Sequence, residues 1–278
     1  MMNQTDLERF QPECWDQIVG NVELKEYFRD LLHCVRIEGH RSGFNLLATG
    51  ESRTGKTVTI KYGIKCLGCI DLDYESLNAC GTCKNCVQNY HLFGNNGCDS
   101  HIFLHDSQNS IRYSLIPIDC ANLKESEIDD LYLKLRVEDD SVRVVYLDEV
   151  HRLSRRFMDE KLLKPIEDFS AIWIASSANL SPESSAGKPE LDVMFQNRFS
   201  YRLRTEKPSV DEMTQWLAIR CDEFGIRCDT PKATLRLLAE RSNQVTGLAL
   251  QVLNRAFKKR KKLLTEKIVA QHIFSFSE

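Results

Sequence analysis

Two glycines, a lysine and a threonine are spaced along residues 50–57 in the way that a phosphate-binding loop requires. The segment reads Gly-Glu-Ser-Arg-Thr-Gly-Lys-Thr, the full G-x-x-x-x-G-K-S/T pattern. In such a loop the glycines let successive backbone N–H groups converge on phosphate oxygens, the lysine reaches the β- and γ-phosphates, and the threonine hydroxyl binds Mg²⁺. The sequence therefore predicts a site for ATP and Mg²⁺. Its predicted ligands are Gly50, Arg53, Thr54, Gly55, Lys56 and Thr57, with Thr57 on the magnesium.

The elements that must hold this loop are visible on both sides of it. Residues 44–49 (Phe-Asn-Leu-Leu-Ala-Thr) are typical of a short buried strand, and residues 58–65 are typical of the start of a helix. The N-terminus of that helix would add its dipole to the anion site. A chance match in a glycine loop is the alternative, and the strand–loop–helix order argues against it.

A second acidic motif, which a nucleotide site requires, completes an apolar run at residues 144–149. The run Val-Val-Tyr-Leu is too short for a globular helix and rich in β-branched and aromatic residues, so it predicts a buried parallel strand. Asp148 at its end would hold Mg²⁺ through water, and Glu149 would polarise the attacking water. An ordinary strand end with solvated carboxylates is the alternative, but the loop at 50–57 favours the catalytic interpretation.

Cysteines are the third chemical signal, because five of the eleven in the chain lie between residues 66 and 86. Cys80, Cys83 and Cys86 form a dense cluster, which Cys69 or Cys66 would complete to a four-sulfur zinc site. The chain shows no secretory signal peptide, so we expect a cytoplasmic, reducing environment in which disulfides are disfavoured. A redox pair or an iron–sulfur cluster is the alternative, but nothing else in the sequence suggests electron transfer.

The sequence predicts a nucleotide-binding domain at 1–207, with a zinc module at 66–86, and a helical lid domain at 208–278. Helix-start signals define the lid. Ser209-Val-Asp-Glu212 is a capping box, and Thr230-Pro231 places a proline at the first helical position. The four expected lid helices cover residues 209–221, 230–241, 246–262 and 265–273.

Composition is that of a soluble globular protein, with 42% hydrophobic and 28% charged residues. No apolar run reaches the roughly 18 residues that a membrane span needs, so no membrane association is expected. The net charge of −3 does not argue for DNA binding. The local run at residues 258–262, Lys-Lys-Arg-Lys-Lys, is either a DNA contact or a solvated helix C-terminus that the macrodipole favours.

Taken in order, these motifs resemble the ATPase part of bacterial clamp-loader motor subunits, the gamma and tau subunits of DNA polymerase III, within the AAA+ superfamily. The similarity spans roughly residues 10–256. Asp16-Gln-Ile-Val-Gly20 is similar to the family's adenine-contacting segment, and the cysteine module follows the first helix after the loop. The similarity continues in Ile116-Pro-Ile-Asp119, in the acidic box at 148–154, and in Asn197-Arg198-Phe199, which stands where the family has Ser-Arg-Cys.

This resemblance implies an α/β fold, namely a P-loop AAA+ three-layer core with a parallel sheet, an inserted zinc module and a small all-α lid. It implies that Val19 and Gly20 contact the adenine. It also implies that Cys69, rather than Cys66, completes the zinc site, because Cys69 lies at the family's distance from Thr57.

The resemblance assigns roles to residues near two further strand ends. Arg198 would be an arginine finger that reaches the ATP site of a neighbouring subunit, and the alternative is a surface arginine at a strand edge. One of Ser176, Ser177 and Asn179 would hydrogen-bond to the γ-phosphate, and the alternative there is a simple turn. Asn179 is the residue that we assign to nucleotide binding.

The chain also departs from the family. The second arginine sensor of the family, on a lid helix, aligns with Ala249, and Arg255 lies nearly two helical turns later. About 20 extra residues near 91–113 are expected to form a surface hairpin, and residues 181–192 a mobile loop. The family's C-terminal collar has no counterpart before residue 278, so the chain is either truncated or assembles without a collar. The phosphate loop is also similar to that of collarless AAA+ regulators of Tn7-like transposition, which polymerise on duplex DNA.

Two classes of function remain. One is an ATP-hydrolysing oligomeric switch that acts on DNA, either clamp-loader-like in replication or as a transposition regulator. The other is a nucleotide-binding assembly platform with little hydrolysis. Lys56, Asp148, Glu149 and Arg198 together favour the first class, and the missing sensor arginine keeps the second open. Expected partners are DNA, as duplex or primer–template, and further subunits, in a homo-oligomer or with other AAA+, replication or transposition proteins.

Overall fold

The computed structural model of this protein describes residues 10–38, 43–87, 102–105, 112–136, 141–178, 191–259 and 262–272. The chain groups into two compact units. The sheet unit comprises Glu23–Gly50 and Ile60–Arg204, and the lid unit comprises Met1–Val22, Glu51–Thr59 and Thr205–Glu278. The phosphate-loop segment therefore groups with the C-terminal helices. The predicted domain boundary between residues 207 and 208 stays a prediction.

Six strands form the central sheet of the sheet unit. In chain order they are β1 Leu46–Gly50, β2 Ile102–His105, β3 Arg112–Asp119, β4 Ser141–Asp148, β5 Ile172–Ala178 and β6 Tyr201–Arg204. Their order across the sheet is β2-β3-β4-β5-β1-β6. All pairings among these described strands are parallel except that of β2 with β3. The carboxyl ends of the parallel strands therefore share one edge, where Gly50, Asp148 and Ala178 lie.

The central strands are buried because both of their faces are covered by apolar side chains. β1 and β5 are buried along almost their whole length, as is usual for parallel strands inside a sheet. This confirms the strands predicted at 44–49 and 144–147, with boundaries that differ by a few residues. On one face a single apolar cluster joins strand residues to the flanking helices; it includes Val145, Trp173, Ile128, Met158 and Phe195.

Among the described residues, α-helices alternate with these strands along the chain. They include α1 Val22–Arg36, α2 Lys56–Leu67, α3 Glu125–Arg136, α4 Arg155–Lys161, α5 Leu163–Asp168 and α6 Val193–Gln196. α2 begins directly after the phosphate loop, two residues before the predicted start at Val58. Two of these helices have side-chain N-caps, since Ser154 accepts the N–H of Phe157 and Asp192 accepts that of Met194. Within the described part of the chain, no helix combines the length and the apolar character that crossing a membrane requires.

The predicted hairpin of the insert is described in part. β2 pairs with β3 in antiparallel fashion, with Ile102 opposite Leu115 and His105 opposite Arg112. The insert thus adds one strand to the sheet beyond β3. Residues 181–190 of the loop predicted at 181–192 lie outside the described residues.

In the described part of the lid unit the α-helices are α7 Val210–Glu223, α8 Pro231–Arg241, α9 Thr246–Phe257 and α10 Glu266–Gln271. The predicted capping box is confirmed, because the Ser209 side chain accepts the N–H of Glu212 while the Glu212 side chain accepts that of Ser209. A two-residue parallel ladder, β7 Arg227–Cys228 with β8 Leu263–Leu264, supplements the helices. The lid core is formed by residues from all four helices, among them Leu217, Leu238, Leu253 and Val269.

α9 ends at Phe257, five residues before the predicted end at Lys262. Lys262 has a φ of 43°, and its carbonyl accepts the N–H of Arg227 at 2.8 Å. The chain leaves the helix because it must turn to bring Leu263 into register with Arg227. The described residues of the basic run, Lys258, Lys259 and Lys262, are therefore not helical, and the ammonium of Lys262 lies 4.2 Å from the ring centre of Phe257.

We predict that Gly63→Ala destabilises the protein, although alanine usually favours a helix by about 1 kcal/mol. Gly63 lies within α2, and a Cβ there would lie 2.2 Å from Cδ1 of Phe28 on α1. Phe28 is fully buried, so its ring cannot move aside without disturbing the core. We expect a loss of about 1–3 kcal/mol in urea unfolding. In a Phe28→Leu background the same substitution should cost less, and a stabilising effect in the wild-type background would contradict the packing described.

Candidate functional site

The phosphate loop connects Gly50 at the end of β1 to Lys56 at the start of α2. Two of its residues have left-handed backbone conformations, Arg53 with a φ of 66° and Gly55 with a φ of 91°. Glycine adopts this conformation readily, whereas an arginine there needs outside support. Such turns direct successive N–H groups toward one concave side, which is the geometry of an anion-binding nest.

Polar side chains of the loop hydrogen-bond to the backbone of the loop itself. The ammonium of Lys56 donates to the carbonyl of Glu51 at 2.7 Å, and the hydroxyl of Thr54 donates to the same carbonyl at 2.9 Å. The Thr54 hydroxyl also lies 3.3 Å from that of Thr205. Lys56 is 7% exposed, so its charge is held next to the loop rather than in solvent. Thr57 is the second residue of α2.

Asn21 holds the loop from outside and was not predicted. Its side-chain amide donates to the carbonyl of Thr54 at 3.1 Å and to the hydroxyl of Thr59 at 3.2 Å. Gly20 and Asn21 have φ values of 65° and 51°. The signal in the sequence is the Gly-Asn pair, since these two residue types tolerate left-handed backbone best.

The predicted adenine contacts lie in the lid unit beside this turn. Val19 packs against the apolar cluster of the lid helices. A Cβ on Gly20 would lie 3.6 Å from the ring of Pro208. The segment before Asn21 is thus packed on lid residues, and its contact with adenine stays a prediction.

The acidic pair is tied to the next strand by one serine. The Ser176 hydroxyl donates to Oδ1 of Asp148 at 2.5 Å, and the N–H of Glu149 donates to the same hydroxyl oxygen at 3.1 Å. Glu149 has a φ of 58°, and its carboxylate lies 3.4 Å from Nε of Arg152. The Glu149 side chain is 47% exposed, so it is accessible to water.

One further contact orders the same strand edge. Nδ1 of His151 accepts the N–H of Ala178 at 3.1 Å, which links the acidic box to the end of β5. Asn179, the predicted nucleotide ligand, follows directly but lies outside the described residues. Lys61 on α2 is largely buried, and burial lowers its pKa, while the nearby carboxylates of Asp148 and Asp119 act in the opposite direction.

Arg198, the predicted arginine finger, lies between α6 and β6 and is paired within its own chain. Its Nη2 lies 2.7 Å from Oε1 of Glu167 on α5. Its carbonyl accepts the side-chain amide of Asn45 at 3.4 Å. The Arg198 side chain is 29% exposed, so it is partly accessible from outside the chain.

The cysteine module brings together the four residues that the sequence and the resemblance assign to zinc. The sulfur atoms of Cys69, Cys80, Cys83 and Cys86 all lie within 4.8 Å of one another. Three backbone N–H groups point at these sulfurs, for example that of Cys80 at Sγ of Cys69, at 3.3 Å. This set of donors fits a structural zinc ion.

Position separates the two candidates for the first ligand. Cys69 belongs to the group of converging sulfurs, and Cys66 lies outside it. Cys66 is buried, and burial raises the pKa of its thiol. Cys69 therefore has the position that a zinc ligand needs, whereas Cys66 has the surroundings of a buried thiol.

A buried arginine on α1 positions this module. Arg36 donates from Nη1 to the carbonyls of Leu67, at 3.0 Å, and Cys69, at 2.7 Å. Asn85 donates to the carbonyl of Gly68 at 3.0 Å. Three successive carbonyls at the end of α2 thus have donors, which stabilises the turn that carries Cys69.

Comparison with solved structures identifies the fold of this chain. No protein-family model and no curated protein matches the chain. The Holliday junction branch migration motor RuvB of Thermotoga maritima gives a TM-score of 0.60 at 16% identity, over 94% of this chain and 71% of that chain. A single-residue variant of the same protein gives 0.59 at 16% identity, over 95% of this chain and 72% of that chain. The chain has the AAA+ fold.

Within this AAA+ fold, neither arginine position expected in the lid faces the loop through a described contact. Ala249, which stands at the aligned position, is fully buried in the lid core. Arg255 lies in the last turn of α9, and its charge, together with burial, lowers the pKa of His272. Residue Arg255 is therefore at the opposite end of α9 from the end that contacts the loop.

We predict about one zinc per chain in the purified protein. Cys69→Ala should remove most of it, because three sulfurs cannot close a structural site. Cys66→Ala is the matched control, since it removes a buried thiol three residues away and should keep the zinc. Elemental analysis with a protein assay measures both. Equal zinc in the two variants would contradict the assignment.

Proposed function

We propose that this AAA+ protein is an ATP-hydrolysing switch that acts on DNA as an oligomer. The observation that carries the proposal is the pair of motifs at one edge of the sheet. The phosphate loop leaves β1 at Gly50, and β4 ends at Asp148, whose carboxylate is oriented by Ser176. An AAA+ fold retaining both motifs has the groups that phosphoryl transfer to water needs.

In this proposal the residues of the loop bind the nucleotide. Lys56 exchanges the carbonyl of Glu51 for the β- and γ-phosphates, and the N–H groups of the loop donate to phosphate oxygens. Thr57 would hold Mg²⁺ directly and Asp148 would hold it through water, and the ion would supply positive charge next to the phosphates. Val19, Gly20 and Asn179 complete the nucleotide contacts.

The hydrolytic step falls to Glu149, which accepts a hydrogen bond from the attacking water and orients it toward the γ-phosphate. Its left-handed backbone and the bond from its N–H to Ser176 set the direction in which the carboxylate leaves the strand. Charge that develops on the γ-phosphate needs a further cation, and Arg198 of a neighbouring subunit supplies it.

Action on DNA is supported by four weaker observations. The motifs resemble those of clamp-loader subunits, the phosphate loop resembles that of transposition regulators, and a protein with a similar structure is a Holliday junction branch migration motor. The side chains of Lys258 and Lys259, which follow α9, are exposed, and in this proposal they contact DNA phosphates. Clamp-loader-like action in replication and ATP-dependent assembly on duplex DNA are both consistent with these features.

An assembly platform that binds nucleotide with little hydrolysis is the second candidate. The observation that favours it is Ala249, because an AAA+ lid without its arginine lacks one cation at the γ-phosphate. The two candidates differ in turnover, which the following variants measure.

We predict that Lys56→Ala weakens ATP binding by about 100-fold or more, because it removes the cation of the loop. Glu149→Gln should bind ATP as the wild type does and hydrolyse it at least 100-fold more slowly, because only water activation is lost. Glu160→Gln, an exposed carboxylate on α4, is the matched control and should leave both values unchanged. Fluorescent-nucleotide titration and phosphate release measure them. Wild-type turnover in Glu149→Gln would overturn the catalytic assignment.

We predict that hydrolysis per subunit rises steeply with protein concentration and rises further with duplex DNA, because a single chain lacks the trans-acting cation. Arg198→Ala chains keep the loop, and Lys56→Ala chains keep the finger, so mixing two inactive variants should restore part of the activity. Co-assembly is checked by light scattering. Variants that co-assemble and stay inactive would argue for the platform instead.

A further inference from the structure

We propose that the first turn of α9 takes over nucleotide sensing in the lid by setting the direction of one phosphate-binding N–H group, with Thr246 and Gly247 as positioning residues. The proposal rests on the proposed ATP site. It names a contact within the lid unit that requires no arginine.

The contact is made at the carbonyl of Arg53. The hydroxyl of Thr246 donates to this carbonyl at 3.0 Å, and the N–H of Gly247 donates to it at 3.3 Å. Thr246 is 8% exposed, so the bond is largely protected from solvent. Gly247 is needed for the approach, because a Cβ there would lie 3.1 Å from Cβ of Arg53.

Because of the geometry of the peptide bond, this contact also sets the direction of an N–H group on the other side of the loop. The peptide between Arg53 and Thr54 is trans and planar, so its C=O and N–H point in opposite directions. Two donors that hold the Arg53 carbonyl toward α9 therefore turn the N–H of Thr54 away from it. Asn21 does the same for the next peptide, since it holds the carbonyl of Thr54 and so directs the N–H of Gly55.

The two peptides differ in what holds them. Asn21 belongs to the segment before α1, whereas Thr246 and Gly247 belong to a lid helix. A phosphate that accepts the N–H of Thr54 polarises that peptide and makes the Arg53 carbonyl a better acceptor. Binding and lid contact then strengthen each other, and this coupling is reciprocal by thermodynamic necessity.

The left-handed backbone of Arg53 gives the coupling its two states. A φ of 66° is unfavourable for arginine and persists only while the surroundings enforce it. With the two donors removed, Arg53 is free to return to a negative φ, and the N–H of Thr54 loses its direction. The conformation in which α9 contacts Arg53 is therefore the same one in which the loop can bind phosphate.

The test compares Thr246→Val, which removes the hydroxyl at nearly constant shape, with Thr246→Ser, which keeps it. We expect Thr246→Val to bind ATP about 3- to 10-fold more weakly, the loss for one hydrogen bond, and Thr246→Ser to stay within about twofold of the wild type. Amide hydrogen exchange in residues 247–257 supplies the second measurement. ATP should slow exchange there in the wild type and in Thr246→Ser, but not in Thr246→Val.

Gly247→Ala disturbs the contact with Arg53 in a second, independent way. This variant keeps the Thr246 hydroxyl and raises the helix propensity of α9, so the lid should be folded in the absence of nucleotide. Its new Cβ presses against Arg53, so we expect ATP to bind more weakly. If Thr246→Val and Gly247→Ala bind ATP as the wild type does, and ATP still slows exchange in α9, the inference is wrong. A wild-type protein that binds no ATP would instead overturn the proposed function on which it rests.

Discussion

A loop that turns its N–H groups toward a phosphate must turn its carbonyls away, and those carbonyls need donors of their own. In this chain four of them have named donors. The carbonyl of Glu51 accepts hydrogen bonds from the side chains of Lys56 and Thr54, and that of Arg53 accepts them from the first turn of α9. The carbonyl of Thr54 accepts the side-chain amide of Asn21, and that of Gly55 accepts the N–H and hydroxyl of Thr59. The lid unit is arranged around this requirement. Its helices, its N-terminal turn and the loop itself meet at these carbonyls.

The sheet unit solves a related problem for the acidic pair. Two carboxylates at a strand end repel each other unless neighbouring groups separate their environments. Ser176 provides this by donating to Asp148 while accepting the N–H of Glu149. The carboxylate of Asp148 is thereby held by a hydrogen bond, whereas the Glu149 side chain is 47% exposed. The two acids therefore have different surroundings, as the proposed roles of metal ligand and water-orienting base require.

Motifs with fixed linear spacing could be predicted from the sequence, and contacts between distant residues could not. The phosphate loop, the strand that ends at Asp148 and the cysteine cluster each lie within one short segment, so periodicity and spacing reveal them. Asn21 contacts a loop residue 33 positions away, and Thr246 contacts one 193 positions away. Nothing in the local sequence of Thr246 indicates that contact, because it depends on how the lid helices pack. The end of α9 was missed for the same reason, since pairing with Arg227 rather than propensity stops the helix.

In α2, the direction that each residue faces around the helix axis is constrained as well as its type. Gly63 must face the Phe28 ring, and the carbonyls of Leu67 and Cys69 must both face Arg36. Each added residue in a helix turns everything after it by about 100° and advances it by about 1.5 Å. One insertion between Gly63 and Leu67 would therefore swing Cys69 away from its three sulfur neighbours while leaving every motif in the sequence intact. In homologous chains the number of residues from Gly63 to Cys69 should accordingly vary less than their identity does.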